Sequence, residues 1–143
     1  MNFSIEIGPA TDLETLPALK DVYITMLPGG DFRETADQAE KLVKKGLNPI
    51  PHIPARSIEN EAQLKEYVSR CRDGGTKQVL VIGGSREPIG DFDSSIQLLE
   101  TGYFEDMKIG IAGHPEGSPD ISDSKLEKAM NDKKPYADYI VTQ

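Results

Sequence analysis

The chain has one cysteine, two histidines, and fewer basic than acidic residues, 16 against 24. Each shortage excludes something. Cys71 alone cannot form an intrachain disulfide or a cysteine-built metal centre. His52 and His114 are too few for a dense histidine metal site, and the Asp and Glu spacing adds none. A formal charge of −8 leaves no basic stripe for phosphates, so neither nucleic acid nor an anionic membrane surface is an expected partner. No stretch approaches the roughly 18 apolar residues of a membrane span. Met1–Glu6 runs straight into a strand without the basic and apolar segments of a signal peptide. A soluble, cytoplasmic protein is expected. There is no repeat beyond a β/α unit, no low-complexity tract and no linker, so residues 1–143 read as one domain.

What is present is alternation. Short β-rich runs at Phe3–Ile7, Val22–Met26, Pro49–Ile53, Gln78–Ile82, Lys108–Ala112 and Tyr139–Thr142 are separated by about five helical patterns. The clearest helices are Arg33–Lys45, stopped by Gly46; Glu61–Cys71, stopped at Asp73-Gly74-Gly75; and Asp123–Lys133. After the first strand, Thr11 or Asp12 can cap a helix that Pro17 keeps short or kinked. Helical spacing from Leu64 and Val68 places Cys71 in the core, and Tyr67 and Met130 read as core too. Three prolines predict an edge-like or irregular third strand. Strict β/α alternation predicts a parallel sheet with right-handed crossovers. A closed barrel usually needs roughly 250 residues, and the final strand is followed by nothing. The expectation is therefore a partial (β/α)8-type barrel, six strands with intervening helices.

In such folds ligands gather at the carboxyl ends of strands, and the chemically suggestive residues lie there. Glu6, in an otherwise apolar strand, is the first candidate proton donor, since burial would favour its neutral form; the alternative is a surface residue on an alternating strand. His52 could contact an anionic or aromatic ligand. The loop Gly83–Gly90 lacks both the phosphate-loop lysine pattern and a Gly-x-Gly-x-x-Gly fingerprint, so it is either a turn or a ligand contact. Lys133-Lys134 is a solvated helix end or a phosphate contact.

Five segments in order carry a resemblance: Ile5-Glu6-Ile7-Gly8-Pro9, Pro51-His52-Ile53-Pro54-Ala55-Arg56, Val81-Ile82-Gly83-Gly84, Gly113-His114-Pro115-Glu116-Gly117-Ser118-Pro119 and Ala137-Asp138-Tyr139-Ile140-Val141-Thr142-Gln143. Together they resemble the methylenetetrahydrofolate reductase family, flavoproteins on a (β/α)8 barrel, over nearly the whole chain. The resemblance implies FAD as cofactor, NAD(P)H as electron donor and a folate as substrate. It implies that Glu6 assists protonation of the folate and that Gln143 recognises the pterin. Thr25, with Ser85, would lie on the substrate side. His52, Gly83, Gly84, Ala112, His114 and Ser118 would line the flavin face, with Lys133 near its phosphates.

The chain departs from the family pattern at three points. Ser85 stands where the family commonly has an aspartate. His114-Pro115-Glu116-Gly117-Ser118-Pro119 replaces Tyr-Pro-Glu-x-His-Pro, and Lys133 fits only with a one-residue shift. Two alternatives follow: a non-catalytic folate- or flavin-binding module that needs a partner, or a folate-linked methyltransferase or demethylase. An open piece of barrel would expose strand edges, so a homo-oligomer or a complementing chain is expected.

Overall fold

A computed structural model of the chain describes residues 3–113 and 122–142. Six strands, β1 (Ile5–Ile7), β2 (Asp21–Ile24), β3 (Asn48–Pro54), β4 (Gln78–Ile82), β5 (Lys108–Gly113) and β6 (Tyr139–Thr142), form one parallel sheet in sequential order. Four α-helices lie between them: α1 (Phe32–Lys44), α2 (Glu61–Asp73), α3 (Ser95–Glu100) and α4 (Asp123–Lys133). The β1–β2 connection is only a 3₁₀ turn, Leu13–Thr15, capped by the Asp12 carboxylate. Most sequence-read boundaries lie within two residues of these; Phe3 stays outside β1 and is half exposed.

The sheet is curled. Flat, it would place β2 and β6 about 19 Å apart, four strand spacings of ~4.8 Å, further than two tyrosine side chains reach. The hydroxyls of Tyr23 on β2 and Tyr139 on β6 nevertheless stand 3.4 Å apart across the concave face. A short chain of hydrogen bonds follows the same arc. The Asn48 amide donates to Asp21 at 3.0 Å and to Gln78 at 2.9 Å, and the Gln78 amide donates to the Tyr139 hydroxyl at 2.8 Å. This arrangement is a partial (β/α) barrel, six parallel strands with helices on the outside.

The expectation of an edge-like β3 is corrected: it is an inner strand of seven residues. Its prolines are tolerated because backbone donors alternate sides along a strand. The Asn48 N–H donates toward β2, to the Lys20 carbonyl, so the amides missing at Pro49 and Pro51 are those that would face β4. The ladder to β2 accordingly spans Asn48–Pro51, whereas that to β4 begins only at His52. Pro54 lacks its donor on the β2 side, where that ladder has already ended.

The core lies between the convex face of the sheet and the helices. Val22, Ile24, Ile53, Val79, Val81 and Ile111 point outward from the strands and are fully buried. α1 meets them with Phe32, Ala36, Ala39 and Leu42, and α2 with Leu64, Tyr67, Val68 and Cys71. Each large side chain so buried contributes about 1.5–3 kcal/mol, which makes this layer the dominant stabilising element. Cys71 is core, as its spacing predicts, and burial pushes its thiol up to about 12. α1 starts where Asp31 accepts from the Arg33 N–H at 2.9 Å and stops at Gly46, whose φ of +81° suits glycine.

One polar atom in this layer has no partner. The Thr76 hydroxyl, in a residue 4% exposed before β4, meets no donor or acceptor among the described residues. Valine has the same shape without the hydroxyl, so Thr76→Val is expected to raise stability by about 1 kcal/mol. Urea unfolding would show this as a higher midpoint at unchanged slope; a loss of stability would reveal a bonding role for the hydroxyl.

Candidate functional site

Strand alternation sends Glu6, Tyr23, His52, Leu80, Gly110 and Tyr139 to the concave face; the neighbours are register partners except on β3, where Tyr23 pairs with Ile50 and His52 follows two residues on along the same face. The floor of this hollow is Tyr139, whose ring lies directly over Gly110. A β-carbon at Gly110 would sit 2.4 Å from the ring, so only glycine admits it. The Lys108 ammonium stands 5.3 Å from the Tyr139 ring centroid. Burial, with the nearby Tyr23 hydroxyl, holds the Tyr139 phenol well above its ordinary range, so it stays protonated and bonds as a hydroxyl.

Above the floor stand an acid and an imidazole. His52 Nε2 lies 3.7 Å from Glu6 Oε1. The imidazole is largely buried, with its ring meeting that of Tyr23 edge-on at 6.2 Å between centroids. Its backbone carbonyl accepts from the Tyr67 hydroxyl of α2 at 2.8 Å, which fastens this part of β3 to the helix layer. Burial lowers the His52 pKa, and the facing Glu6 carboxylate opposes that in part. Glu6 itself is not a buried carboxylate, as its apolar strand had suggested: its side chain is 58% exposed, because it faces the open hollow rather than the core.

The other sequence-read residues divide. Thr25, just past β2, turns its hydroxyl to the Ile7 carbonyl at 3.3 Å, while its own carbonyl accepts from Thr35 of α1 at 3.1 Å. Gly83 has open space where a side chain would stand, and Gly84 adopts φ +99° beside Pro54 and Arg56. Ser85 is exposed in the same loop. Ala112 is half-buried near the end of β5. Lys133 donates to the Ala112 carbonyl at 3.2 Å, and burial lowers its pKa, so among the described residues its ammonium ties α4 to β5. His114, Ser118 and Gln143 lie outside the described residues.

The loop after β4 is pinned rather than free. Arg56 N–H donates to the Gly83 carbonyl, Ile89 N–H to the Arg56 carbonyl and Asp91 N–H to the Glu59 carbonyl, at 2.9, 3.1 and 3.0 Å. The Arg56 guanidinium adds a bond to the Asp93 carbonyl at 2.9 Å. Glu6, within β1, His52, two residues before the end of β3, and the Gly83-Gly84 turn after β4 are thereby presented by strands and a clamped loop. Among the described residues no group of three or more His, Cys, Asp or Glu side chains is placed to hold a metal ion, and no helix is long and apolar enough to cross a membrane.

Sequence reading missed Tyr23, Gln78 and the Tyr139 floor. The phase of alternation was a usable signal, since Tyr23 lies two residues before Thr25 and shares its face. The pairing of a strand glycine with an aromatic across the ladder was another.

No family model matches the chain. Among solved structures it is similar to the YdjI aldolase from Escherichia coli K12, with 13% identity and a TM-score of 0.45 over 87% of this chain and 46% of that one. The chain therefore spans about half the length of the solved structure it matches.

Proposed function

We propose that the concave face is a small-molecule site of the methylenetetrahydrofolate reductase kind, in which a reduced nicotinamide supplies the electrons, a methylene-bearing folate accepts them through FAD, and Glu6 delivers the proton. The observation that carries this reading is the placement of Glu6: exposed into the hollow from the middle of β1, facing His52 and above an aromatic floor. General acid catalysis requires a carboxyl group held where a bound substrate can meet it, and the Glu6 side chain, 58% exposed, is open to the hollow for that.

The described residues fit the ring of a flavin better than its phosphates. His52, Gly83, Gly84 and Ala112 would hold the ring, with open space at Gly83 and only a methyl group at Ala112. Lys133, the phosphate contact implied by resemblance, has its ammonium on a strand carbonyl. When bound, FAD accepts and passes on hydride; the protein's part is to orient the ring and to present the Glu6 carboxyl group to the substrate.

A second copy or a complementing chain is part of the proposal. Among the described residues β1 and β6 each pair with a single strand, α4 has no buried residue, and Ile140 stands 46% exposed on the outer face of β6. Unpaired edges and apolar surface of this kind favour association.

The test is a visible absorption spectrum of the freshly purified protein, taken beside its mass in solution. Flavin bands on an oligomer are expected, followed by nicotinamide-dependent folate reduction. A colourless protein that takes up no added FAD overturns the flavoenzyme reading and leaves the partner-dependent binding module. Flavin with folate turnover but no nicotinamide oxidation would favour the methyltransferase or demethylase reading.

A further inference from the structure

We propose that His52 is the positioning partner of Glu6 and that Tyr23 in turn holds His52, so that three adjacent strands supply one acid–imidazole–aromatic unit rather than separate ligand contacts. The inference deepens the proposed function, and it rests on that reading only for what the unit is used for; the unit itself stands on geometry. Glu6 and Tyr23 are direct partners in the β1–β2 register. His52 reaches both: the carboxylate at 3.7 Å and the Tyr23 ring at 6.2 Å between centroids, steeply inclined at 66°.

The imidazole is restrained on every side that the described residues supply. Glu6 faces it from β1 and Tyr23 from β2. Leu80, apolar and buried, is its register partner on β4, and the Tyr67 hydroxyl of α2 holds its carbonyl. Tyr23 is itself steadied by the Tyr139 hydroxyl at 3.4 Å, which Gln78 bonds. Glu6 is thus the one charged group facing the imidazole within ion-pair distance among the described residues. An exposed carboxylate on a three-residue strand has several rotamers open to it. The largely buried imidazole on the same concave face selects those that point across the hollow.

This arrangement makes two perturbations of His52 opposite in sign. Removing the Glu6 charge leaves burial unopposed, so the His52 midpoint should fall further. Removing the Tyr23 ring lets water reach the imidazole, so the midpoint should rise toward the ordinary histidine value of about 6.5. The chain has only two histidines, so the proton NMR titration of their ring carbon-bound hydrogens is readable, and His114→Gln assigns the His52 signal.

Glu6→Gln is expected to lower the His52 midpoint by about half a pH unit, and Tyr23→Ala to raise it by a similar amount. Tyr23→Phe, which keeps the ring, should stay close to the starting value and serves if the alanine variant fails to fold. A His52 midpoint unchanged by Glu6→Gln, or shifted as far by Tyr23→Phe as by loss of the whole ring, overturns the proposal. The titration needs no cofactor or substrate, so a protein that binds no flavin yet shows the opposed shifts would end the reductase reading and leave the unit standing.

Discussion

Gly90→Ala is expected to destabilise the protein by about 2–4 kcal/mol, more than any surface substitution should. A β-carbon at position 90 would stand 1.8 Å from the Glu59 carbonyl oxygen, with the Glu59 carbonyl carbon at 2.5 Å. Both are backbone atoms, so no side-chain rotation relieves the overlap. Overpacking of this kind costs about 1–3 kcal/mol, and the flanking bonds from Ile89 to Arg56 and from Asp91 to Glu59 would lengthen with it, each worth about 1 kcal/mol. The damage reaches the candidate site, because the same clamp holds the turn at Gly83 and Gly84. Urea unfolding should show the lost stability, and amide exchange should rise across residues 83–93. Gly83→Ala is the control: its β-carbon meets nothing within 4 Å, so its stability should change by less than about 0.5 kcal/mol. Equal effects at the two positions would mean that the loop yields and that the clamp has little influence.

That clamp illustrates where sequence reading ended. The strands and long helices were legible because their signals are local: apolar runs bounded by glycine, a 3.6-residue stripe in α1, Gly46 and Gly74 as stops. Parallel order followed from alternation alone. What was not legible depended on contacts distant in sequence. The Gly83–Gly90 segment read equally as a free turn or a ligand contact, because its bonds to Arg56 and Glu59 join residues about 30 apart. The position of β3 was misread because proline was counted against a strand as a whole, whereas its effect depends on the side to which each missing donor points. The short helix α3 was counted among the helical patterns but not located, being only six residues, although Ser94-x-x-Gln97 spells a capping pattern in which the Gln97 side-chain oxygen Oε1 accepts from the Ser94 and Asp93 backbone amides.

For the site the division is similar. Glu6 and His52 were found because polar residues at the ends of apolar strands stand out. The physical character assigned to Glu6 was wrong, since burial is set by which face the sheet curls toward. That curl is invisible in any one strand. It appears only when Tyr23, Gln78 and Tyr139, from three strands, meet through their polar ends. The half-barrel therefore presents its acid to an open hollow, with the apolar residues of the same strands turned outward to the helices.

On the proposed reductase reading, Glu6→Gln is expected to reduce folate turnover by about 10²–10⁴-fold, the contribution usual for a positioned general acid. The fold should be nearly indifferent. Glu6 is more than half exposed and its His52 contact is 3.7 Å, so stability should change by less than about 0.5 kcal/mol. Glutamine keeps the shape and can still accept a hydrogen bond, but it carries no acidic proton. The loss should therefore fall on the step that requires one, the opening and reduction of the folate. Bleaching of bound flavin by nicotinamide should keep its rate, because that transfer does not draw on Glu6. Parallel loss of both steps, or loss of flavin from the variant, would show that Glu6 supports the binding face instead of donating a proton. Full turnover in the variant would move the acid elsewhere. The two steps are compared at saturating folate, since a carboxylate that merely bound the folate would raise its KM and spare the limiting rate, whereas loss of the proton donor lowers the limiting rate itself.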